Sequence, residues 1–296
     1  MSLIYMSINI INLLLNKYNP VDEVTLKKYY DNDNKVNFPW IISLDKDKNK
    51  YINTFKKLKL LKFDPIKFKA IYGKNIKINE PKIYSKFNNL SEGEIGCFLS
   101  HLLIYYIASK HKNKNQYTLI FEDDINTFIN EESINKNIND AISHNTNMIY
   151  LGKCLEICEK VTKISENIYY GHKPLCLHAY LIKNSFAKKI IEGLNEYERK
   201  SIDFPIDWYL HQYTDNKKTL IFHPSLFFQS TEYQSNLRSK KEQYANLLEC
   251  QESIYYVVID YFFKKMNKYQ LILFGISIIL LIILIIKLVN GVQNKI

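Results

Sequence analysis

Arginine is nearly absent from this chain. Of its 40 basic residues only Arg199 and Arg238 carry a guanidinium, the forked donor that phosphate and base-edge recognition favour. The formal charge of +10 therefore rests on lysines scattered among Asn, Ile and Tyr, and no nucleic-acid partner is expected. The same bias fits an AT-rich genome such as that of a protist or one of its large DNA viruses. Cysteine is also scarce: Cys97, Cys154, Cys158, Cys176 and Cys250 are odd in number, in a chain long enough to need no disulfide framework, and they read as free thiols of a reducing compartment. Cys154 and Cys158 have a zinc-like spacing, but no second Cys or His pair follows at zinc-like distance. No basic n-region precedes the apolar stretch Leu3 to Leu15, so it reads as an amphipathic helix packed on the domain and not as a signal peptide. Internal repeats and low-complexity tails are absent as well.

Charge is missing altogether between Leu271 and Ile286. With Tyr269, Leu288 and Val289 the apolar run reaches the length a bilayer core demands, and Lys264, Lys265 and Lys268 precede it. It predicts one C-terminal transmembrane helix with the preceding domain facing the cytosol.

Between these ends, strand-like and helix-like segments alternate, which predicts an α/β sandwich with a mostly parallel central sheet. Expected strands are Phe38 to Leu44, Phe68 to Ile71, Tyr117 to Phe121, Met148 to Leu151, His178 to Ile182 and Leu220 to Phe222. Lys50 to Leu61 reads as a helix. Ser91-Glu92-Gly93-Glu94 is a capping box opening a helix with apolar positions Ile95, Phe98, Leu99, Leu102, Leu103, Tyr106 and Ile107. A later helix is expected to be capped by Ser185 and to close near Gly193.

Thr118-Leu119-Ile120-Phe121 runs straight into Glu122-Asp123-Asp124. Ligands bind at the C-terminal edge of open α/β sheets, and three adjacent carboxylates there repel one another unless a cation sits among them. Oxygen donors of this kind suit Mn²⁺ or Mg²⁺. In continued strand geometry Glu122 and Asp124 would share one face and Asp123 the other. His223, at the end of a strand, is a further candidate metal ligand.

Two long strings in order, Leu90-Ser91-Glu92-Gly93-Glu94-Ile95-Gly96-Cys97-Phe98-Leu99-Ser100-His101 and Ile120-Phe121-Glu122-Asp123-Asp124-Ile125, resemble glycosyltransferase family 25, the lipopolysaccharide and procollagen galactosyltransferase type. Ile41-Ile42-Ser43-Leu44-Asp45, Ala70-Ile71-Tyr72-Gly73, His178-Ala179-Tyr180-Leu181-Ile182 and Pro205-Ile206-Asp207-Trp208-Tyr209-Leu210 keep the family's order. The resemblance implies a GT-A type nucleotide-sugar fold and transfer of a hexosyl group, galactose or glucose, from a UDP-sugar to a hydroxyl of a glycan or protein, with inversion and with Mn²⁺ or Mg²⁺. It implies donor-binding roles for Ser43, Leu44, Asp45, Ala70, Gly73, Glu94 and His101. Glu94, Cys97 and His101 fall on one side of their helix, away from its apolar stripe. Asp207 is the expected catalytic base, and Trp208 and Tyr209 are expected at the acceptor. One departure is that Lys46, Lys48 and Lys50 stand where the family usually has arginines, which loses a bidentate grip on phosphate. The resulting division is 1–37 as an N-terminal extension, 38–250 as the catalytic domain, 251–268 as a basic juxtamembrane segment, 269–289 as the membrane helix and 290–296 as a tail. An inactive carbohydrate-binding or scaffold protein of the same fold is the alternative, and a metal-dependent phosphohydrolase is a third reading.

Overall fold

The computed structural model describes residues 2–154, 156, 160–197, 201–214, 218–230, 270 and 275–277. Two helices, α1 (Ser2–Tyr18) and α2 (Glu23–Asp31), lead into β1 (Trp40–Ser43), α3 (Lys48–Leu60), β2 (Ile66–Lys69), α4 (Gly73–Asn79), α5 (Pro81–Tyr84) and α6 (Glu92–Lys110). Then come β3 (Tyr117–Glu122), β4 (Ile125–Asn126), α7 (Glu131–Ser143), β5 (Met148–Gly152), β6 (Thr162–Lys163) and β7 (Ile168–Tyr170). The last described elements of the domain are β8 (Ala179–Lys183), α8 (Asn184–Tyr197), α9 (Ile206–Leu210), β9 (Thr219–Phe222) and β10 (Phe228–Gln229).

Eight strands form one sheet in the order β2-β1-β3-β8-β5-β9-β7-β6. Six run one way, and β8 and β7 run against them. The sheet is thus mostly parallel in direction but mixed, because β8 is inserted between β3 and β5. The strands alternate cleanly, as a sheet buried on both faces requires. Ile42, Ile120, Tyr150, Tyr180 and Ile221 face a core shared with α1, α6 and α8. Ile41, Phe121, Ile149, Leu181 and Phe222 face a second core under α3 and α7. The result is a three-layer α/β/α sandwich.

The N-terminal residues are integral to it. Ile11 and Leu14 of α1 and Tyr29 of α2 belong to the same apolar cluster as Trp40, and the Tyr29 hydroxyl lies 2.6 Å from Thr118 Oγ1. The amphipathic helix expected at Leu3 to Leu15 is therefore present and docked. The capping box also forms in full, with Ser91 and Glu94 each bonding the other's backbone N–H. The expected cap of α8 does not: that helix begins at Asn184, one residue earlier than Ser185, and runs through Gly193 to Tyr197. Asn184 is held by its buried side chain, which reaches the Asn113 carbonyl at 3.0 Å and Thr118 Oγ1 at 2.8 Å, so tertiary contacts override the local cap signal.

Cys154 and Cys176 form a disulfide, which corrects the expectation of free thiols; Cys97 is free. Cys158 and Cys250 lie outside the described residues. So do the juxtamembrane segment 251–268, the tail 290–296 and the expected membrane helix 269–289 apart from Gln270 and Gly275-Ile276-Ser277. Among the described residues no helix is long and apolar enough to cross a membrane.

Candidate active site

The C-terminal ends of the parallel trio β2-β1-β3 open into a cleft of about 630 Å³. Its floor is the end of β1 with Ser43 and Leu44, one wall is the β2–α4 loop from Ala70 to Gly73, and the other is the first turns of α6. These walls meet only because two residues lack a side chain. A Cβ on Gly73 would overlap the Glu92 carbonyl, and one on Gly96 would lie 2.5 Å from the Ile71 carbonyl oxygen. Ser100 ties the same seam: its hydroxyl accepts the Ile71 N–H at 2.8 Å and donates to the Gly96 carbonyl at 2.7 Å.

Glu122, Asp123 and Asp124 all line this cleft. The strand ends at Glu122 and the next two residues turn, so the alternating faces expected of an extended triplet do not arise. Each carboxylate meets a different environment. Glu122 Oε1 lies 3.3 Å from His101 Nε2, and Oε2 accepts from Gln229 Nε2 at 3.4 Å. Burial raises the proton affinity of Glu122, but the His101 hydrogen bond and the nearby His101 and His178 outweigh it and leave the group below its ordinary value. Asp123 Oδ2 accepts from Ser43 Oγ at 2.6 Å, yet burial moves its pKa up to about 6. Asp124 reaches about 8, through burial first and then the charges of Glu122 and Asp123. Its Oδ1 is buried and has no hydrogen-bond donor among the described residues.

That unpartnered oxygen, in an acidic cluster whose repulsion the charge of Lys50 only partly offsets, is what a hard divalent cation would relieve, and the residues fit such an ion. The three carboxylates do not close on one point, however. Among the described residues the cleft's tight group of potential ligands is Cys97, His101 and Glu122, within 4.8 Å of one another. A Mg²⁺-type ion takes one or two protein carboxylates and leaves its other positions to phosphate and water, so it would rest on the carboxylates alone and not on Cys97 or His101.

Of the expected donor residues, Ser43, Leu44, Ala70, Gly73 and His101 line the cleft. His101 does so differently from expectation: it is fully buried, because α6 is covered by the sheet, α4, α8 and α9 on nearly every side. Its Nδ1 lies 2.7 Å from the Tyr180 hydroxyl, which in turn lies 2.9 Å from that of Tyr105. This relay fixes the imidazole against Glu122. Asp45 and Glu94 do not line the cleft. Asp45 pairs outside it with Lys67 and Lys69 at 3.0 and 2.8 Å, and Glu94 is consumed by the capping box, its Oε2 accepting the Ser91 N–H at 2.8 Å. His223 is also displaced from its expected role. Its Nε2 lies 3.0 Å from the buried Glu156, which Lys153 also contacts at 2.7 Å, so it belongs to a separate ionic cluster.

Asp207 lies on the first turn of α9, just outside the lining, with Oδ2 accepting the Cys176 N–H at 3.2 Å and Oδ1 the Trp208 N–H at 2.9 Å. Its charge still reaches Cys97 in the cleft wall, whose thiol is pushed up by burial and then by Glu122, Asp207 and Asp124. Trp208 is 49% exposed and stacks on Phe204 at 6.2 Å. Tyr209 turns inward, 5% exposed and edge-on to Phe98 at 5.4 Å, which removes it from the acceptor surface because a short helix cannot show adjacent residues to the same side.

Tyr72, Tyr84 and Gln229, to which the sequence reading gave no role, line the cleft together with Lys46 and Lys50, which stand where the family usually has arginines. Lys46 and Lys50 were visible as part of a basic run, of which Lys48 is absent from the lining. Gln229 had no local signal, since it arrives through antiparallel pairing of β10 with β4.

The profile of the family described as glycosyltransferase family 25 (LPS biosynthesis protein) matches residues 36–210, which contain β1, α6, the acidic turn and Asp207. No curated protein matches the chain. Among solved structures, 4-diphosphocytidyl-2C-methyl-D-erythritol synthase from Anaerococcus prevotii DSM 20548 aligns at 14% identity over 71% of this chain and 94% of that one, with a TM-score of 0.31, too low to inform the argument.

Proposed function

Because the chain belongs to glycosyltransferase family 25, and is thereby a glycosyltransferase, we propose that it moves a hexosyl group, galactose or glucose, from a UDP-sugar to a hydroxyl on a glycan or protein. The observation that carries this reading is the buried, unpartnered Asp124 oxygen inside an acidic turn that shares its cleft with Lys46 and Lys50. Such a cleft needs cationic compensation and can hold a dianionic diphosphate once a metal is present. Asp124, with Glu122 or Asp123, would hold Mn²⁺ or Mg²⁺, which supplies Lewis-acid stabilisation of charge on the departing diphosphate.

The chain's own groups do the rest. Lys46 and Lys50 offset phosphate charge, though as point charges without a guanidinium fork. Ser43 and the β2–α4 backbone shape the nucleotide end, and the His101–Tyr180–Tyr105 relay holds Glu122 in place. Asp207 takes the proton of the acceptor hydroxyl as its oxygen bonds to the anomeric carbon and the bond from that carbon to the diphosphate oxygen breaks, a single displacement with inversion. The Phe204–Trp208 ledge beside Asp207 offers an apolar face for a sugar ring. A C-terminal membrane anchor at 269–289, with the domain on the cytosolic side, remains part of the proposal and is tested by alkaline extraction of membranes and protease protection.

The decisive experiment incubates the purified protein with a panel of nucleotide sugars and measures nucleotide release with and without Mn²⁺. Metal-dependent turnover of one UDP-hexose is expected. Absence of turnover and of binding for every donor would favour the inactive carbohydrate-binding alternative, and hydrolysis of simple phosphate esters would favour the phosphohydrolase.

A further inference from the structure

We propose that Cys154, Cys176 and His178 constitute a second, soft-metal site of the zinc type, formed by two thiolates and one imidazole when the disulfide is reduced. No sequence spacing announces it. Cys154 follows β5 while Cys176 and His178 precede β8, and the antiparallel pairing of those strands places the two sulfurs and a ring nitrogen of His178 within 4.8 Å of one another.

The histidine is prepared for such a role. It is 1% exposed, and its Nε2 lies 3.3 Å from the Phe227 carbonyl oxygen. A carbonyl can only accept, so Nε2 carries the hydrogen and Nδ1 keeps the lone pair. Nδ1 is buried with no hydrogen-bond partner among the described residues. A backbone carbonyl that orients the far nitrogen is the arrangement metal-binding histidines use. Gly152 makes room for the ring, because a Cβ there would collide with His178 Nε2. Both cysteines are half-buried, within reach of a small reductant.

The chemistry balances without any group the protein lacks except the reductant. A phosphine gives two electrons to the S–S bond and becomes the phosphine oxide with the oxygen of one water, whose two protons convert the sulfurs to thiols. Binding of Zn²⁺ then releases those two protons, and the fourth tetrahedral position is left to water. Thiolate and imidazole select zinc-like ions and carboxylates select Mn²⁺ or Mg²⁺; the cleft offers one thiol, Cys97, beside His101 and Glu122, so the Cys97→Ser variant separates the two sites. The two sites are also neighbours. Cys154 Sγ lies 3.9 Å from Gln229 Oε1, Gln229 reaches Glu122, and the Cys176 N–H holds Asp207.

Cobalt(II) added to the full chain is the probe, because a thiolate–cobalt bond gives an intense near-ultraviolet charge-transfer band that carboxylate ligation does not. In the Cys97→Ser background, which removes the free thiol of the cleft, the phosphine-reduced protein should develop the band to saturation at one equivalent and lose it to Zn²⁺, while the oxidised protein shows none. Added to that background, Cys154→Ser and Cys176→Ser should abolish it, and His178→Gln should weaken cobalt binding more than about tenfold. Circular dichroism checks that each variant is folded; if one of these is not, the reduced Cys97→Ser protein decides alone. The proposal fails if two new thiols are counted after reduction and no band appears, or if the band survives when Cys154→Ser and Cys176→Ser are combined in that background. Neither result bears on glycosyl transfer, since the readout needs no sugar nucleotide.

Discussion

Replacing Asp124 with asparagine should make the metal-free protein more stable while destroying its activity. Asp124 is raised from 3.8 to about 8, by burial and by Glu122 and Asp123. A carboxyl whose folded value lies above its unfolded one keeps its proton longer in the fold. Its stabilising contribution is complete below about pH 4 and is lost as pH climbs through about 8. The gap of about four units sets a ceiling of roughly 5 kcal/mol at 1.36 kcal/mol per unit. Sharing of the repulsion with the neighbouring carboxylates, and water in the cleft, bring this to a few kcal/mol. In a domain of this size each kcal/mol moves the melting temperature by about 2–4 °C. The amide of the Asp124→Asn variant would keep the shape of the carboxylate and carry no charge, and the backbone carbonyl of this position would still accept from Ser230 N–H at 2.6 Å. Thermal melts in EDTA at pH 5.5 and 8.5 test this. The variant should exceed the natural chain by about 5 °C or more at the higher pH, the gap should shrink at the lower, and Mn²⁺ should raise the natural chain's melting temperature far more than the variant's. A variant that melts no higher at pH 8.5, or by the same margin at both pH values, would refute the electrostatic reading of the acidic turn.

Asp207→Asn should lower kcat for transfer by about 10²- to 10⁴-fold while UDP-sugar binding, measured by calorimetry, stays intact; loss of donor binding instead would move Asp207 out of the base role. Trp208→Ala should leave stability within about 0.5 kcal/mol, since the ring is half-exposed, and raise the acceptor KM without altering donor hydrolysis; an unchanged acceptor KM would remove the aromatic ledge from the site. Gly96→Ala should cost about 1–3 kcal/mol in denaturant unfolding and weaken donor binding, because the clash is with backbone atoms of Ile71 and Gly73 that cannot rotate away; a neutral result would show the cleft walls to be pliable. Tyr180→Phe removes the hydroxyl shared by His101 and Tyr105, so a loss of about 1–3 kcal/mol and a lower kcat are expected, and a variant with full stability and rate would dismiss the relay.

The sequence by itself determined what local chemistry can encode. The capping box at Ser91 forms from four consecutive residues, the strand cores declare themselves by unbroken apolar runs, and the acidic turn at 122–124 sits where a buried strand stops. The order of motifs sufficed to place the family, and with it the α/β architecture. Tertiary structure alone decided the rest, because burial and partnership depend on what arrives from elsewhere in the chain. His101 looked solvent-facing on a helical wheel and is buried, since the sheet, through Tyr180 of β8 and Glu122 of β3, covers the side its own helix leaves polar. Asp45, Glu94, His223 and Tyr209 satisfied a pattern and found other partners, whereas Gln229 reached Glu122 from 107 positions away. Cys154 met Cys176 and His178 because β8 runs back between β3 and β5. Short-range periodicity carries no information about such crossovers; only the packing of the sheet selects them.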